Sequence, residues 1–161
     1  MDVKYHVIST LVENKPGVLQ KVTGLFSRRD FNIDSITVGE SEIDGLARMV
    51  ITVKADDNIL EQVTKQLNKL VDVIKIKDIS KNSVKRELCL VKVNIPNQKA
   101  RAEIMQYSNI FRAHILDVSE ETLLIELTGD KKKINAFISL VENFGIKRIA
   151  RTGLTAMSRG V

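Results

Sequence analysis

One cysteine, two histidines and no tryptophan leave this chain of 161 residues little of the side-chain chemistry that metals, disulfides and stacked ligands require. Cys89 has no partner for an intrachain disulfide, and the alternating run around it reads as a strand with a buried, inert thiol. His6 and His114 fall on strand-like segments without cysteine at metal-ligand spacing, so both are read as strand residues rather than ligands. Aromatics reach only 4%, and the strands offer Tyr5 and little else, so platforms for nucleic-acid bases are scarce. No apolar run approaches the roughly 20 residues of a membrane span, and Met1 to His6 lacks the charged and apolar regions of a signal peptide. The expectation is a cytoplasmic protein with neither membrane nor nucleic acid among its partners. The motifs G-x-x-x-x-G-K-[ST], G-x-G-x-x-G and G-x-S-x-G are all missing. Adjacent acids (Asp56-Asp57, Glu120-Glu121, Glu40/Glu42) fall at expected caps, turns and strand ends, where solvation explains them. Nothing resembles a catalytic constellation, and the chain reads as a binding module.

A hydrophobic fraction of 43% beside 28% charged residues is ordinary for a globular protein. The excess of 25 basic over 20 acidic residues is mild and dispersed. Lys131-Lys132-Lys133 follows Gly129-Asp130 at an expected helix start and reads as a solvated first turn.

Two halves of about 80 residues repeat one order of elements. In the first, a strand over 5–12 leads to a helix over 18–29 and a strand over 33–41. Ala47, Met49, Ile51 and Val53 then alternate with polar neighbours as a third strand. Asp56-Asp57-Asn58 supplies cap residues for a helix carrying Leu60, Val63, Leu67 and Leu70, and 71–79 closes the unit as a strand. The stretch 80–86 is polar and lacks periodicity, and the boundary between the units is expected there. Beyond it, Cys89 to Ile95 alternate as a strand, a helix spans 99–111, a hairpin joins 113–118 to 122–128, and a fourth helix stops at Gly145. A last strand over 146–152 and a short tail, Gly153 to Val161, complete the reading. The fold class is α+β, with two ferredoxin-like βαββαβ units at 1–80 and 81–161, antiparallel sheets and helices on one face. Apolar residues on both faces of the first strand predict a homodimer through sheet extension or face packing.

Glu13 to Leu19 (ENKPGVL) joins the first strand to the first helix through a turn suited to a small anion. Pro16 fits a helix start, Gly17 allows close backbone approach, and free N–H groups point at whatever lies beside 14–19. By itself the segment is equally a plain strand-to-helix turn, with Asn14 as a turn former and Asn32 as a helix-exit residue. Gly24 is expected to allow close helix–sheet packing.

The segments LVENKPGVL (11–19), GLFSRR (24–29) and FNIDSITV (31–38) resemble an ACT domain, a small amino-acid-sensing module. With QLNKLVDV (66–73), REL (86–88), LVKV (90–93), FRA (111–113), ILDV (115–118), ARTG (150–153) and MSRG (157–160), the chain resembles the small regulatory subunit family of acetolactate synthase over nearly its whole length. That resemblance implies a non-catalytic chain, with no cofactor of its own, that binds a catalytic subunit. The partner carries thiamine diphosphate, a divalent metal and usually FAD. It also implies activation of that subunit and feedback inhibition by valine or a related branched-chain amino acid, held between two ACT domains of a homodimer. Asn14 and Gly17 match the family's effector-loop positions, followed by Val18 and Leu19, while Asn32 and Ile33 match positions reaching in from the neighbouring chain. Two other readings stay open on the residues: a stand-alone amino-acid sensor acting on another protein, and a basic ferredoxin-like adaptor for RNA.

Overall fold

The hydrophobic alternation of each half folds into the same four-stranded antiparallel arrangement. The computed structural model describes residues 3–160; Met1, Asp2 and Val161, the outermost residues of the two expected units, lie outside the described residues. The first half runs β1 (Lys4–Glu13), α1 (Val18–Arg28), β2 (Ile33–Glu40), β3 (Leu46–Ala55), α2 (Asp57–Leu67) and β4 (Val73–Asp78), with sheet order β2-β3-β1-β4. In the second, β5 (Ser83–Asn94), α3 (Gln98–Ile110), β6 (His114–Val118), β7 (Thr122–Gly129), α4 (Lys131–Val141), a 3-10 turn (Glu142–Phe144) and β8 (Ile146–Arg151) give the equivalent order β6-β7-β5-β8. Both units therefore have the expected ferredoxin-like plan.

Local chemistry explains the helix limits. Asp56, Asn97 and Asp130 accept the amides of Ile59, Ala100 and Lys133 at 2.9, 2.8 and 2.8 Å, capping α2, α3 and α4. Gly145 ends the last helical segment at a φ of 91°, where an L side chain is strained. Each unit has its own core. In the first, Ile8, Val12, Met49 and Ile51 of the sheet meet Val22, Phe26, Val63 and Leu67 of the helices. In the second, Val91, Val93 and Ile125 meet Ile104, Ile134 and Phe137, and Phe111 stands edge-on to Phe137 at a centroid distance of 5.5 Å. Cys89 is buried in this second core, and burial pushes its thiol pKa up, as an inert thiol requires. Among the described residues, no helix is long and apolar enough to cross a membrane.

Three expectations are corrected. The polar stretch 80–86, within which the first unit gives way to the second between Val84 and Lys85, is largely strand rather than aperiodic: β5 begins at Ser83, whose hydroxyl donates to the Ile79 carbonyl at 2.6 Å. Gly24 makes no close helix–sheet contact, since a Cβ there meets nothing within 4 Å. The third concerns the tail, which does not trail from the second unit. Residues 154–160 pack with residues 3–84, while Lys85–Gly153 form the other unit. Within the tail, β9 (Thr155–Ser158) pairs with β5, and Leu154 and Ala156 close over Val7, Val50 and Ile79 on the helix-free face of the first sheet. The Thr37 hydroxyl donates to the Leu154 carbonyl at 3.2 Å, and the Leu154 amide donates to Ser35 at 3.3 Å. The tail thus supplies, within the chain, cover that the sequence pattern assigned to a second copy on that face. The outer edge of β2 stays open.

Because Leu154 is a core residue of the first unit, L154A should lower its unfolding free energy by about 2–5 kcal/mol. Urea unfolding followed by circular dichroism checks this, and a loss below about 0.5 kcal/mol would mean that the tail only rests on the surface.

Candidate functional site

β1 ends at Glu13, whose amide donates to the Asp72 carbonyl, and the Asn14 amide donates to the Gly45 carbonyl, each at 2.9 Å, one step beyond the last strand pairs. These bonds tie the β1–α1 turn to the start of β4 and to the β2–β3 connection. Gly17 then takes a φ of 87° as the N-cap of α1, a left-handed conformation that costs other residues about 1–2 kcal/mol. A Cβ at Gly17 would meet nothing within 4 Å, so open space lies over the turn.

Of the four α-helices among the described residues, α1 alone has no capping side chain, and its first turn has no acidic residue. The Val18 amide reaches the Lys15 carbonyl at a long 3.4 Å. No capping side chain reaches the amides of Leu19 and Gln20, so the positive end of the helix dipole faces the open turn. Such a helix start favours a carboxylate.

Around the turn, charges are locked. Asp72 is buried, with Lys21 Nζ 2.6 Å from one carboxylate oxygen and Lys15 Nζ 2.8 Å from the other; Lys15 also bridges to Glu13. Hydrogen bonds from Lys15 and then Lys21 hold the Asp72 pKa down to about 2. Hydrogen bonds made by Lys15 itself, to Asp72 first and Glu13 second, hold its ammonium well above the usual lysine range. Lys15 is therefore a fastener of the turn, and Asp72 is the anchor that sequence reasoning missed. Its only signal in the sequence was its place in the family-like segment 66–73.

The six residues singled out in the sequence separate into two groups. Asn14 is exposed at the end of β1, and Leu19 is 47% exposed on the first turn of α1. Val18 is buried in the helix–sheet core, so its contribution to any ligand is backbone alone. Asn32 is exposed just before β2, and Ile33 is half-buried against the first core. Ile33 pairs with Val53, which pairs with His6, whereas Leu46 pairs with Glu13. The Asn14 turn and Asn32 thus lie at opposite ends of the sheet, separated by roughly 23 Å of strand. One chain does not bring them together.

The remaining candidates have structural roles. His6 is buried, with Nε2 3.2 Å from the Ala55 carbonyl. Tyr5, the strand aromatic on which an RNA platform would depend, packs on the tail cluster and donates to Asp34 at 3.2 Å.

Asp72 sets an acid sensitivity. A depressed carboxylate pKa adds stability that is present above the unfolded value of 3.8 and is lost as pH falls through about 2. Between those limits the wild type should lose stability more steeply than D72N, as read from melting temperature against pH; parallel profiles would remove the ion pairs from the account.

The description "AHAS small subunit-like ACT domain" matches residues 8–75, and "Small subunit of acetolactate synthase" matches residues 86–160. The chain named "Probable acetolactate synthase small subunit" in Methanothermobacter thermautotrophicus is 62% identical over 99% of this chain and 96% of its own length. The small subunit of Mycobacterium bovis is 48% identical over 99% of this chain and 95% of its own. The crystal structure of the acetolactate synthase small subunit from Thermotoga maritima superposes with a TM-score of 0.91 at 50% identity, covering 98% of this chain and 99% of that one. With an ACT-type first unit, a second ferredoxin-like unit and relatives matched along nearly their whole length, the chain belongs to the acetolactate synthase small subunit family, the non-catalytic partners of that enzyme.

Proposed function

We propose that this chain is a cytoplasmic regulatory subunit that activates the acetolactate synthase catalytic subunit and makes it sensitive to valine or a related branched-chain amino acid. The catalytic partner would hold the thiamine diphosphate, divalent metal and FAD. The observation that carries the effector reading is the uncapped start of α1 at Gly17, beside exposed Asn14, while Asn32 stands at the far end of the same sheet.

A homodimer resolves that separation. β2 is an edge strand, and two-fold antiparallel pairing of two copies about the middle of β2 would set Ile33 of the partner subunit beside Glu40. Glu40 pairs with Ala47, which pairs with Val12, so Glu40 lies at the Asn14 end of the sheet, about 10 Å across two strands. That register would bring the partner's Asn32 to the same end of the sheet as the effector turn. Val38, 48% exposed and paired with core Met49, and Leu19 supply apolar surface on the helix side.

A zwitterionic amino acid suits these groups. The helix-start amides take its carboxylate, an interaction worth up to ~2 kcal/mol when partly buried. Asn14 and Asn32 each offer a carbonyl acceptor for the ammonium and an amide donor. Burying an isopropyl group adds roughly 1.5–3 kcal/mol. One methylene changes affinity by only ~1–3 kcal/mol, so isoleucine and leucine compete with valine. The regulation is two-state: the small subunit stabilises an active catalytic arrangement, and bound amino acid favours a less active one. A coupling of about 1–3 kcal/mol gives effects of roughly 5- to 150-fold.

The test is acetolactate formation by the cognate catalytic subunit, with and without this chain and with and without valine. Stimulation that valine reverses is expected. Effector binding without any effect on the catalytic subunit would instead identify a sensor for another protein. N32H should keep the stimulation and lose valine sensitivity; full sensitivity in N32H removes Asn32 from the site. At micromolar concentration the chain should sediment as a dimer, and a pure monomer rules out the shared pocket.

A further inference from the structure

We propose that a groove on the helix-free face of the first sheet receives an extended acidic segment of the catalytic subunit, anchored by an apolar side chain. The proposal rests on the regulatory-subunit reading above and names the surface through which that partner is engaged.

The groove follows from strand register. Lys75, Leu11, Arg48 and Gly39 are direct neighbours across β4, β1, β3 and β2 and form one row on this face. The tail crosses the sheet alongside, fastened at Thr37 and packed on Val50, and a groove remains between it and this row, with Leu11 buried at the base. A cavity of about 650 Å³ results, with buried Leu11, Ile79 and Ala156 as its floor. A second cavity of about 310 Å³ continues towards Gly39 and Glu40, and both are lined by Glu42, Arg48 and Met157. Three strand spacings make the row roughly 14 Å long, the reach of about four extended residues. That shape suits a peptide segment better than a compact small molecule.

Charge and polarity specify the occupant. Glu42 is engaged by Arg48 through bonds of 2.8 and 3.0 Å, so the acid lining the groove is already neutralised. Lys75 and Lys77 are exposed on the same face of β4, opposite uncharged Leu11 and Ser9. Four lysines of this unit are held by acids, Lys4 by Asp57, Lys15 and Lys21 by Asp72, and Lys65 by Glu61. Among the described residues Lys54, Lys69 and Lys81 are not, and neither are Lys75 and Lys77, the two lysines that line the groove. Two uncompensated ammonium groups beside an apolar floor call for carboxylates on a partly apolar segment. At the rim, Met157 and Ile43 are 66% and 47% exposed, and an adaptable methionine is suited to an apolar anchor.

The position also provides a route for regulation. The groove ends on Gly39 and Glu40 of β2, and the proposed effector pocket uses the opposite face and outer edge of that strand. Partner and effector therefore bear on one strand from its two sides, so each can bias the other through its position.

The experiment measures affinity of the wild-type chain and of the K75E/K77E double variant for the purified, cofactor-loaded catalytic subunit. Valine binding and melting temperature are followed in parallel. Binding is expected to weaken about tenfold or more, and to lose most of its salt dependence, while valine binding and melting stay unchanged. K99E/K132E, which makes the same net-charge change on the second unit, should stay within about twofold of wild type. If K75E/K77E also stays within about twofold, or if both doubles weaken alike, the groove is not the docking surface. If charge reversal lowers the melting temperature, the gentler K75Q/K77Q is scored by the same criteria. A wild-type chain that neither binds nor stimulates the catalytic subunit overturns the regulatory reading itself, whereas one that binds with indifference to Lys75 and Lys77 overturns only the groove.

Discussion

β1 is buried on both faces, and the rest of the first unit answers to that constraint. From His6 to Val12 every residue is buried, so a single layer of helices covers only half of the strand's side chains. α1 and α2 cover Ile8 and Val12, and the tail segment 154–160 covers Val7. Hydrophobic burial at about 25 cal/mol per Å² favours drawing the distant end of the chain onto this face. The N-terminal unit is consequently built from both ends of the sequence.

Fastening of the β1–α1 turn is the second level of organisation. Asp72 binds Lys15 and Lys21 together, while backbone bonds from Glu13 and Asn14 hold the turn to its neighbours. The consequence is an uncapped helix start held in place with its amides facing open space. Capped α2, α3 and α4 show how readily this chain satisfies a helix start when it serves structure alone. In the proposed function, a bound carboxylate takes the place of the missing cap.

The two proposed binding surfaces share β2. Its helix-side face and outer edge border the effector, and Gly39 borders the groove beside the tail. Within the chain β2 pairs only with β3, whereas β1 pairs with both β3 and β4, and in the proposed dimer the second neighbour of β2 is its own copy, so ligands on its two sides bear on the junction between subunits. Regulation of this kind needs no wire through the core: both ligands act on one element.

Periodicity and short-range chemistry determined much of this molecule before any fold was known. Alternation over Ala47 to Val53, the Asp56 and Asp130 caps and the Gly145 stop are local signals, because helix starts, pleats and turns depend on residues within a few positions. The family motif in 11–19 and 31–38 was equally legible, and it marked the candidate effector residues. What tertiary structure decided is non-local. Nothing in the polar stretch 80–86 or the tail announces strands, because their pairing partners lie about 70 residues away. Asp72 reads as an ordinary surface acid until folding places two lysines on its carboxylate. Gly24 suggested tight packing, yet its surroundings are open, since a glycine's space depends on the neighbour rather than on the glycine. The separation of Asn14 from Asn32 is likewise set by strand order and register, which fix positions in space that residue spacing along the chain leaves undetermined.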